Sequence, residues 1–543
     1  MNSRSTAKQT TPFTKPGEKA PPRTPPMPSV PSTGRSLRLL ALPAALGLVV
    51  AAFALLTTDI DLRRAFVSAG GALLLWCAAL AVATWRAKRE LAIQFVPRAQ
   101  HWVQACAQLT LILYVAATGD VFRAFLPFIF AQLVFAYGVD SLLNWSRRNV
   151  YAFGFGPFPI IFSINLFLLF KPQWMIWQFA LILLGYAAKE FIRWTRDGRS
   201  AHIFNPSSFP LAVLSVVLLI TGASDVAFGN AIANAIFDAP HIHLVIFLVA
   251  LPGQFLFGVA RTPLAAALTL YVVGMLYYAA TGTYLLYDAF IPPAVFIGMT
   301  LLVTDPSTSP RRDAGRLVFG TLYGLLTLAA FVLLERAGAP TFYDKLLPVP
   351  LLNLMARRLD RLTIPRSLAE LSFVQRLRAL TPRRRNVVVT SVWATAFVLL
   401  AAVQGVGDRH PGQYLPFWQQ ACGAGNARAC TYSVKLTAVY CQQGSGWACN
   451  VVGLLQRRRG AGGDVEFRRA CELGYTPGCE NAQRPSAPVE QLANTPPMLR
   501  DLPIVLSGTK PPLEERDPAT LYALACKQGW PGACGTSRGS TPP

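Results

Sequence analysis

Apolar and polar positions separate along this chain into long blocks. From position 39 onward, apolar runs approach the length of about 20 residues that a helix needs to cross a bilayer. They fall at about 39–56, 65–84, 101–119, 125–143, 155–170, 174–192, 203–221, 243–260, 264–282, 288–303, 317–335, 344–356 and 387–405. These thirteen runs predict an all-α, polytopic membrane helix bundle. Residues 1–38 ahead of them are rich in Pro, Ser, Thr, Lys and Arg, with Glu18 the one acid. Such a stretch buries no core and reads as a disordered, basic cytoplasmic leader. It also sets the first apolar run back from the start, with no clear cleavage site, so no cleavable signal peptide is expected.

Composition agrees with the pattern. The 543 residues are 53% hydrophobic and only 14% charged, which is membrane-protein composition. The net charge of +23 indicates nucleic acid only where basic residues form a soluble face. Here they sit between apolar runs, so membrane lipid is the expected partner and nucleic acid is not. With the N-terminus inside, 30 Lys and Arg up to Arg385 fall on cytoplasmic segments, against six on outer loops: Arg63, Arg64, Arg123, Lys171, Arg336 and Lys345. That bias orients the chain as a multi-pass protein of a bacterial inner (plasma) membrane. The expected domains are a membrane domain at 39–360, a basic cytoplasmic segment at 361–386, a last transmembrane helix at 387–405 and an exported domain at 406–543. Nine arginines among Leu, Ile and Phe at 357–386 read either as an amphipathic segment on anionic lipid or as a solvated basic loop.

Two polar stretches interrupt the apolar pattern. One is Thr304-Asp305-Pro306-Ser307-Thr308-Ser309-Pro310, followed by Arg311, Arg312 and Gly315-Arg316-Leu317-Val318-Phe319-Gly320. Two prolines break the helix, and a carboxylate with four hydroxyls is costly in lipid unless it lines a cavity or meets water. The other is Phe204-Asn205-Pro206-Ser207, opening an apolar helix behind Lys189, Arg193, Arg196 and Arg199. A polar membrane turn with positive-inside arginines is the plain reading of either.

Together the two stretches resemble the Rnf-D/Nqr-B family, the membrane components shared by the Rnf electron-transport complex and the sodium-pumping NADH:quinone reductase. The resemblance rests on Phe204-Asn205-Pro206-Ser207, the Thr-Asp-Pro turn and Gly315–Gly320, and covers residues 150–360 best. It implies a component of a membrane oxidoreductase or translocase. It also implies a flavin cofactor, FMN or riboflavin, and other redox-complex subunits as partners. The cofactor-binding candidates are Asn205, Pro206, Thr304, Asp305, Ser307, Thr308 and Arg311. The family's flavin-bearing Ser-Gly-Ala-Thr is absent: Thr221-Gly222-Ala223-Ser224 has the wrong order. Gly258-Val259-Ala260-Arg261-Thr262-Pro263 stands where the family has an acidic helix start, with Arg261 in place of the acid. Thr262 is therefore read as either an attachment hydroxyl or a helix-start hydroxyl. The flavin is expected to be non-covalent. The second reading is a transporter-like or scaffold protein that has lost flavin and anchors the exported domain.

Eight of the ten cysteines lie in the tail. They pair by spacing as Cys422 with Cys430, Cys441 with Cys449, Cys471 with Cys479 and Cys526 with Cys534, and glycine follows three residues after each first cysteine. Glycine there reads as a helix C-terminal cap, and an even cysteine count outside the cytoplasm favours disulfides clamping small α-hairpins. Zinc is the alternative. Ala470–Cys479 and Ala525–Gly529 resemble the cysteine-rich Sel-like repeat, a relative of the tetratricopeptide repeat, which implies a protein partner. First cysteines are spaced by 19, 30 and 55 residues, so a regular solenoid is not expected, and the proline-rich 484–517 reads as a linker. Cys77 and Cys106 read as core residues, Lys189, Glu190 and Arg193 as a mutually paired group, His101 and His202 as interfacial, and Asp140 as interfacial or buried. His241 and His243, two apart, do not share a helix face and are not expected to hold a metal.

Overall fold

Long apolar runs become long helices because a backbone in lipid must satisfy its own hydrogen bonds. The computed structural model describes residues 33–196, 198–362, 375, 379–404, 410–514, 516–530 and 532–536. Among the described residues six helices are long and apolar enough to cross a membrane: Ser36–Leu56, Ile60–Arg86, Asp120–Arg147, Arg261–Thr281, Asp313–Arg336 and Pro382–Ala402. Gly229–Asp238 and Ile242–Leu256 make a seventh if the pair, bent by 96°, is one span.

The described residues therefore hold six or seven such helices where the apolar pattern predicts thirteen runs. The other runs form shorter or more polar helices. Residues 155–170 hold the nine-residue helix Pro157–Asn165 and then a turn and irregular chain. Leu168 and Phe170 in that chain are buried, and Gln178 meets their backbone groups. Gln132, Asn165 and Gln178 bond to one another in the interior, at 2.8 to 3.0 Å. Irregular backbone is tolerated at this depth only where protein encloses it. Residues 288–303 give Pro293–Ile297 and a π turn, Gly298–Leu302. Residues 344–356 give Pro348–Leu359, twelve residues long with Arg357 and Arg358 in its last turn.

The expected leader differs at its end. Residues 1–32 lie outside the described residues, but Thr33–Leu39 is helical, and the buried Ser36 hydroxyl accepts a bond from Leu91 N. Of the basic segment 361–386, residues 363–374 and 376–378 are outside the described residues, and the last helix already begins at Pro382. Cys77 is buried, but Cys106 is exposed on its helix.

Two small sheets stand at the helix ends. β1 (Ala92–Phe95) pairs in parallel with β2 (Val150–Phe153). β3 (Arg193–Arg196) pairs antiparallel with β4 (Arg199–His202).

The tail has its own hydrophobic core. All four cysteine pairs are disulfides: Cys422 with Cys430 (Cα–Cα 4.6 Å), Cys441 with Cys449 (4.5 Å), Cys471 with Cys479 (4.5 Å) and Cys526 with Cys534 (4.7 Å). Zinc is thereby set aside, since each sulfur is committed to a covalent bond. Gly425, Gly444, Gly474 and Gly529 adopt positive φ, the helix-ending conformation expected of them. After each glycine the chain repeats one bond: Asn426, Ser445, Tyr475 and Trp530 donate N–H to the carbonyl five residues back. Cys430, Cys449, Cys479 and Cys534 then stand near the start of the returning helices Ala427–Gln442, Gly446–Arg458, Thr476–Ala482 and Ala533–Thr536. The segment 484–517 is no loose linker. Leu502, Val505 and Leu506 are buried in the tail core, and Asp501 accepts from Ser445 Oγ (2.7 Å) and Trp447 N (3.2 Å).

The tail docks on the bundle. Asn426 bonds Thr281 O, and Arg428 reaches Glu335 (3.3 Å), Tyr284 O (2.7 Å) and Leu285 O (2.6 Å). Tyr287 stacks on Tyr432 at 4.0 Å and packs against both cores. Thr281 and Glu335 end the 261–281 and 313–336 helices, whose other ends meet in the Arg261–Asp313 pair at 3.4 Å. At about 1.5 Å rise per residue, tail and pair are separated by roughly the thickness of a hydrocarbon core.

Candidate functional site

The Asn-Pro stretch is held by its own side chains. Asn205 Oδ1 accepts from Ser207 N (2.9 Å), Ser207 Oγ (2.8 Å) and Ser208 N (3.3 Å), which opens the Ser208–Thr221 helix. An Asx turn of this kind satisfies first-turn donors that the helix cannot. Gly185 lets the Met175–Phe191 helix come close, for a Cβ there would stand 2.3 Å from Pro206 O.

The Thr-Asp-Pro turn is built the same way. Asp305 Oδ1 accepts from Ser307 N (3.1 Å), and its Oδ2 accepts from Thr308 Oγ1 (2.9 Å). Thr304 Oγ1 donates to Thr300 O (2.7 Å). Arg316 ties Pro310 O (3.0 Å) to Gly258 O (2.5 Å). Gly320 permits close packing of two helices, because a Cβ would lie 2.2 Å from Thr262 O.

These two stretches meet. Asn205 Nδ2 donates to Leu302 O (3.2 Å), just before the turn. Asn353 joins them from a third side, accepting from Asn205 N (3.1 Å) and donating to Thr308 O (3.4 Å). Arg196, buried on β3, donates to Ser309 O (3.1 Å) and pairs with Asp360, whose Oδ1 accepts from Arg311 N (2.7 Å).

Beside the junction opens a cavity of about 250 Å3, lined by Asn205, Pro206, Ser207, Asp305 and Ser307. Opposite stand Gln100, His101, Gln104 and Gln108 from one helix, with Asp140, Tyr186 and Lys189. Gln100 Nε2 donates to Asp305 Oδ1 at 2.7 Å, and Gln108 Nε2 to Ser163 Oγ at 2.8 Å. Leu143, Ile160 and Leu301 supply apolar wall. Burial holds the His202 imidazole down to about 4, so it is neutral at neutral pH although Asp305 favours its charged form.

Four of the candidates, Asn205, Pro206, Asp305 and Ser307, thus share the cavity. The others do not line it. Thr304 lines a smaller neighbouring recess, and Thr308 is turned to Asp305. Arg311 is exposed and gives its N–H to Asp360. Thr262 is fully buried at the contact with Gly320. The charged group expected near 189–193 is rearranged: Lys189 faces Asp140 (3.8 Å), while Glu190 pairs with Arg148. His243 bonds Ile291 O at 2.8 Å, far along the chain from the cavity residues. The polar stripe Gln100, Gln104, Gln108 was missed, although its i, i+4, i+8 spacing leading into an apolar run is a legible signal of a wetted helix face. Among the described residues no group of three or more His, Cys, Asp or Glu is placed to hold a metal ion.

Fold and site define a helical protein with membrane-length helices, a polar cavity at one end of the bundle and a disulfide-clamped domain at the other. No protein-family model, curated protein or solved structure matches the chain.

Proposed function

We infer that the chain is an integral membrane electron-transfer protein of the Rnf-D/Nqr-B kind, holding a flavin non-covalently in the cavity. One observation carries the reading: the Asn-Pro and Thr-Asp-Pro stretches, far apart in sequence, line the same cavity. The donor set fits such a ligand. Glutamine amides and Ser307 meet ring carbonyls and nitrogens, while Leu143, Ile160, Leu301 and Tyr186 offer apolar surface to a ring face. A bound flavin supplies reversible electron transfer. The chain orients it through Gln100 and Asp305, and the amide bonds of Asn205 and Asn353 keep both stretches in register.

Under this reading the short and bent helices complete a thirteen-segment bundle in a bacterial inner membrane. The cavity faces the cytoplasm and the electron-donating partners, and the tail faces outward and docks a protein partner. The opposite placement of tail and cavity-side arginines supports that orientation. A second reading has one observation in its favour: the tail is firmly held on the bundle, as suits a scaffold or transporter-like anchor that has lost flavin.

Detergent-purified protein tests the choice. Flavin absorbance, with fluorescence released into solution on denaturation, supports the redox reading. Fluorescence left on the gel band means a covalent link. Absence of flavin, beside a control flavoprotein that stays loaded, favours the anchor. A folded Gln100→Leu, Asp305→Asn variant should retain flavin about tenfold less well.

A further inference from the structure

The cavity contains more positive charge than it neutralises. Arg98, Arg148, Lys189 and Arg193 line it together with Asp140, Glu190 and Asp305. The carboxylates are engaged elsewhere. Glu190 pairs with Arg148, Asp140 stands 3.8 Å from Lys189, and Asp305 accepts from Gln100, Ser307 and Thr308. Among the described residues Arg98 and Arg193 pair with no carboxylate. Arg193 meets only neutral acceptors: Ser200 Oγ (2.9 Å), Ser200 O (3.1 Å) and Lys189 O (3.2 Å). Both arginines lie near enough to His202 to oppose its protonation.

A third source of positive potential joins them. The Ala99–Thr118 helix begins directly after Arg98, and the cavity residues Gln100 and His101 sit in its first turn. First-turn N–H groups have no earlier carbonyl of that helix to meet, and the helix dipole adds partial positive charge there. The positive-inside bias accounts for basic residues at this end of the helices. What it leaves unexplained is their position: Arg98 and Arg193, both exposed, stand at the wall of one cavity lined with amides, and among the described residues neither pairs with a carboxylate.

We propose that Arg98 and Arg193 form an anion subsite that takes the phosphate of a phosphorylated ligand, so that the cavity selects FMN over riboflavin. This rests on the flavin reading and deepens it. The arginines replace Arg311 and Thr308, neither of which lines the cavity, Thr308 Oγ1 being given to Asp305. Two guanidiniums match a phosphomonoester dianion in charge, and each can donate a fork of N–H groups to its oxygens.

The test is equilibrium binding of FMN and of riboflavin to full-length protein stripped of cofactor in detergent, read by flavin fluorescence. Wild type should prefer FMN by tenfold or more, a difference of about 1.4 kcal/mol that charged hydrogen bonds supply. Arg98→Gln should abolish most of that preference while riboflavin binding stays within about twofold, and Arg98→Lys should restore part of it. Arg193→Gln is read beside these, because Arg193 also braces its hairpin. Equal affinity of wild type for the two flavins overturns the subsite and leaves the flavin reading standing. Should neither flavin bind, the flavin reading fails, and the subsite is judged by inorganic phosphate. Shielding of Arg98 from phenylglyoxal by phosphate, read by mass spectrometry, supports it, and unshielded modification overturns it.

Discussion

The tail and the cavity end of the bundle are held together over different distances along the chain. In the tail, each disulfide, each glycine turn and each returning N–H lies within eight residues of sequence. At the cavity the fastening bonds are long: Gln100 to Asp305 spans 205 positions, Arg196 to Asp360 spans 164, and Asn205 to Asn353 spans 148. Local motifs keep their geometry when a neighbour is lost. Long-range latches exist only while the helices carrying them are packed. The tail is therefore a set of covalently closed hairpins over which 484–517 completes a shared core, whereas the cavity depends on the whole bundle.

Removing the covalent closures should produce the largest difference between the two ends. Replacing all eight tail cysteines with serine should cost about 2–3 kcal/mol per bridge and unfold the tail, while the bundle stays helical. Limited proteolysis and thermal scans with and without reductant read this. In the native chain these eight cysteines should resist alkylation until reductant is added, and free thiols would contradict the disulfide reading.

Next comes the latch under the Thr-Asp-Pro turn. Arg196→Ala leaves Asp360 without its partner in a site where Arg196 is almost fully buried. For buried pairs this costs about 3–5 kcal/mol, and the partly exposed Asp360 brings the expectation to the lower end. Protease should cut near 304–312 in the variant, with the tail unaffected. Cutting in both regions would show that they are one cooperative unit.

Gly320→Ala puts a methyl group against Thr262 O, so the 261–281 and 313–336 helices must separate. Overpacking of this kind costs about 1–3 kcal/mol. Since those helices also carry the tail's docking groups Thr281 and Glu335, tail release should accompany the loss.

Arg428→Met should loosen docking by about 1–2 kcal/mol without unfolding either part. Faster cleavage between 404 and 415, with an unchanged melting profile, is the expected outcome.

The smallest effect concerns pH. His410 lies against Tyr284 and Phe290, and burial holds its imidazole down to about 3. It is neutral when folded and takes up a proton when released. The docked state is therefore favoured above the usual histidine value near 6.5 and weakens as pH falls from there toward about 3. His410→Asn should flatten that slope. Asp288, pushed up to about 6 by burial, acts in the opposite sense but is common to wild type and variant. Identical slopes would exclude His410 from the effect.

The sequence was most legible where the physics is local. A glycine three residues after a cysteine announces a left-handed helix end, and the second cysteine then returns to the first. The tail hairpins and the partner of each cysteine follow directly, while the choice of disulfide over zinc came from the structure. The Asx turn at Asn205 and the break at Pro306 are also written locally, because one side chain caps the donors beside it. The helix count was less legible. Residues 155–170 and 288–303 are apolar enough to resemble full spans, yet Pro157 and Pro293 start short helices inside them, enclosed by neighbouring helices.

Sequence alone determined the apolar runs, the two polar interruptions and the cysteine pairing, since each depends on the spacing of nearby residues. Only tertiary structure decided that Asn205 and Asp305 line one cavity while Thr262 and Arg311 stay outside it. It also decided that Gln100 faces Asp305, that Arg196 anchors the turn through Asp360, and that 484–517 closes the tail core. Those contacts depend on how closely helices approach. That approach is set by the missing side chains of Gly185 and Gly320 and by amide bonds between residues a hundred or more positions apart, which no local pattern encodes.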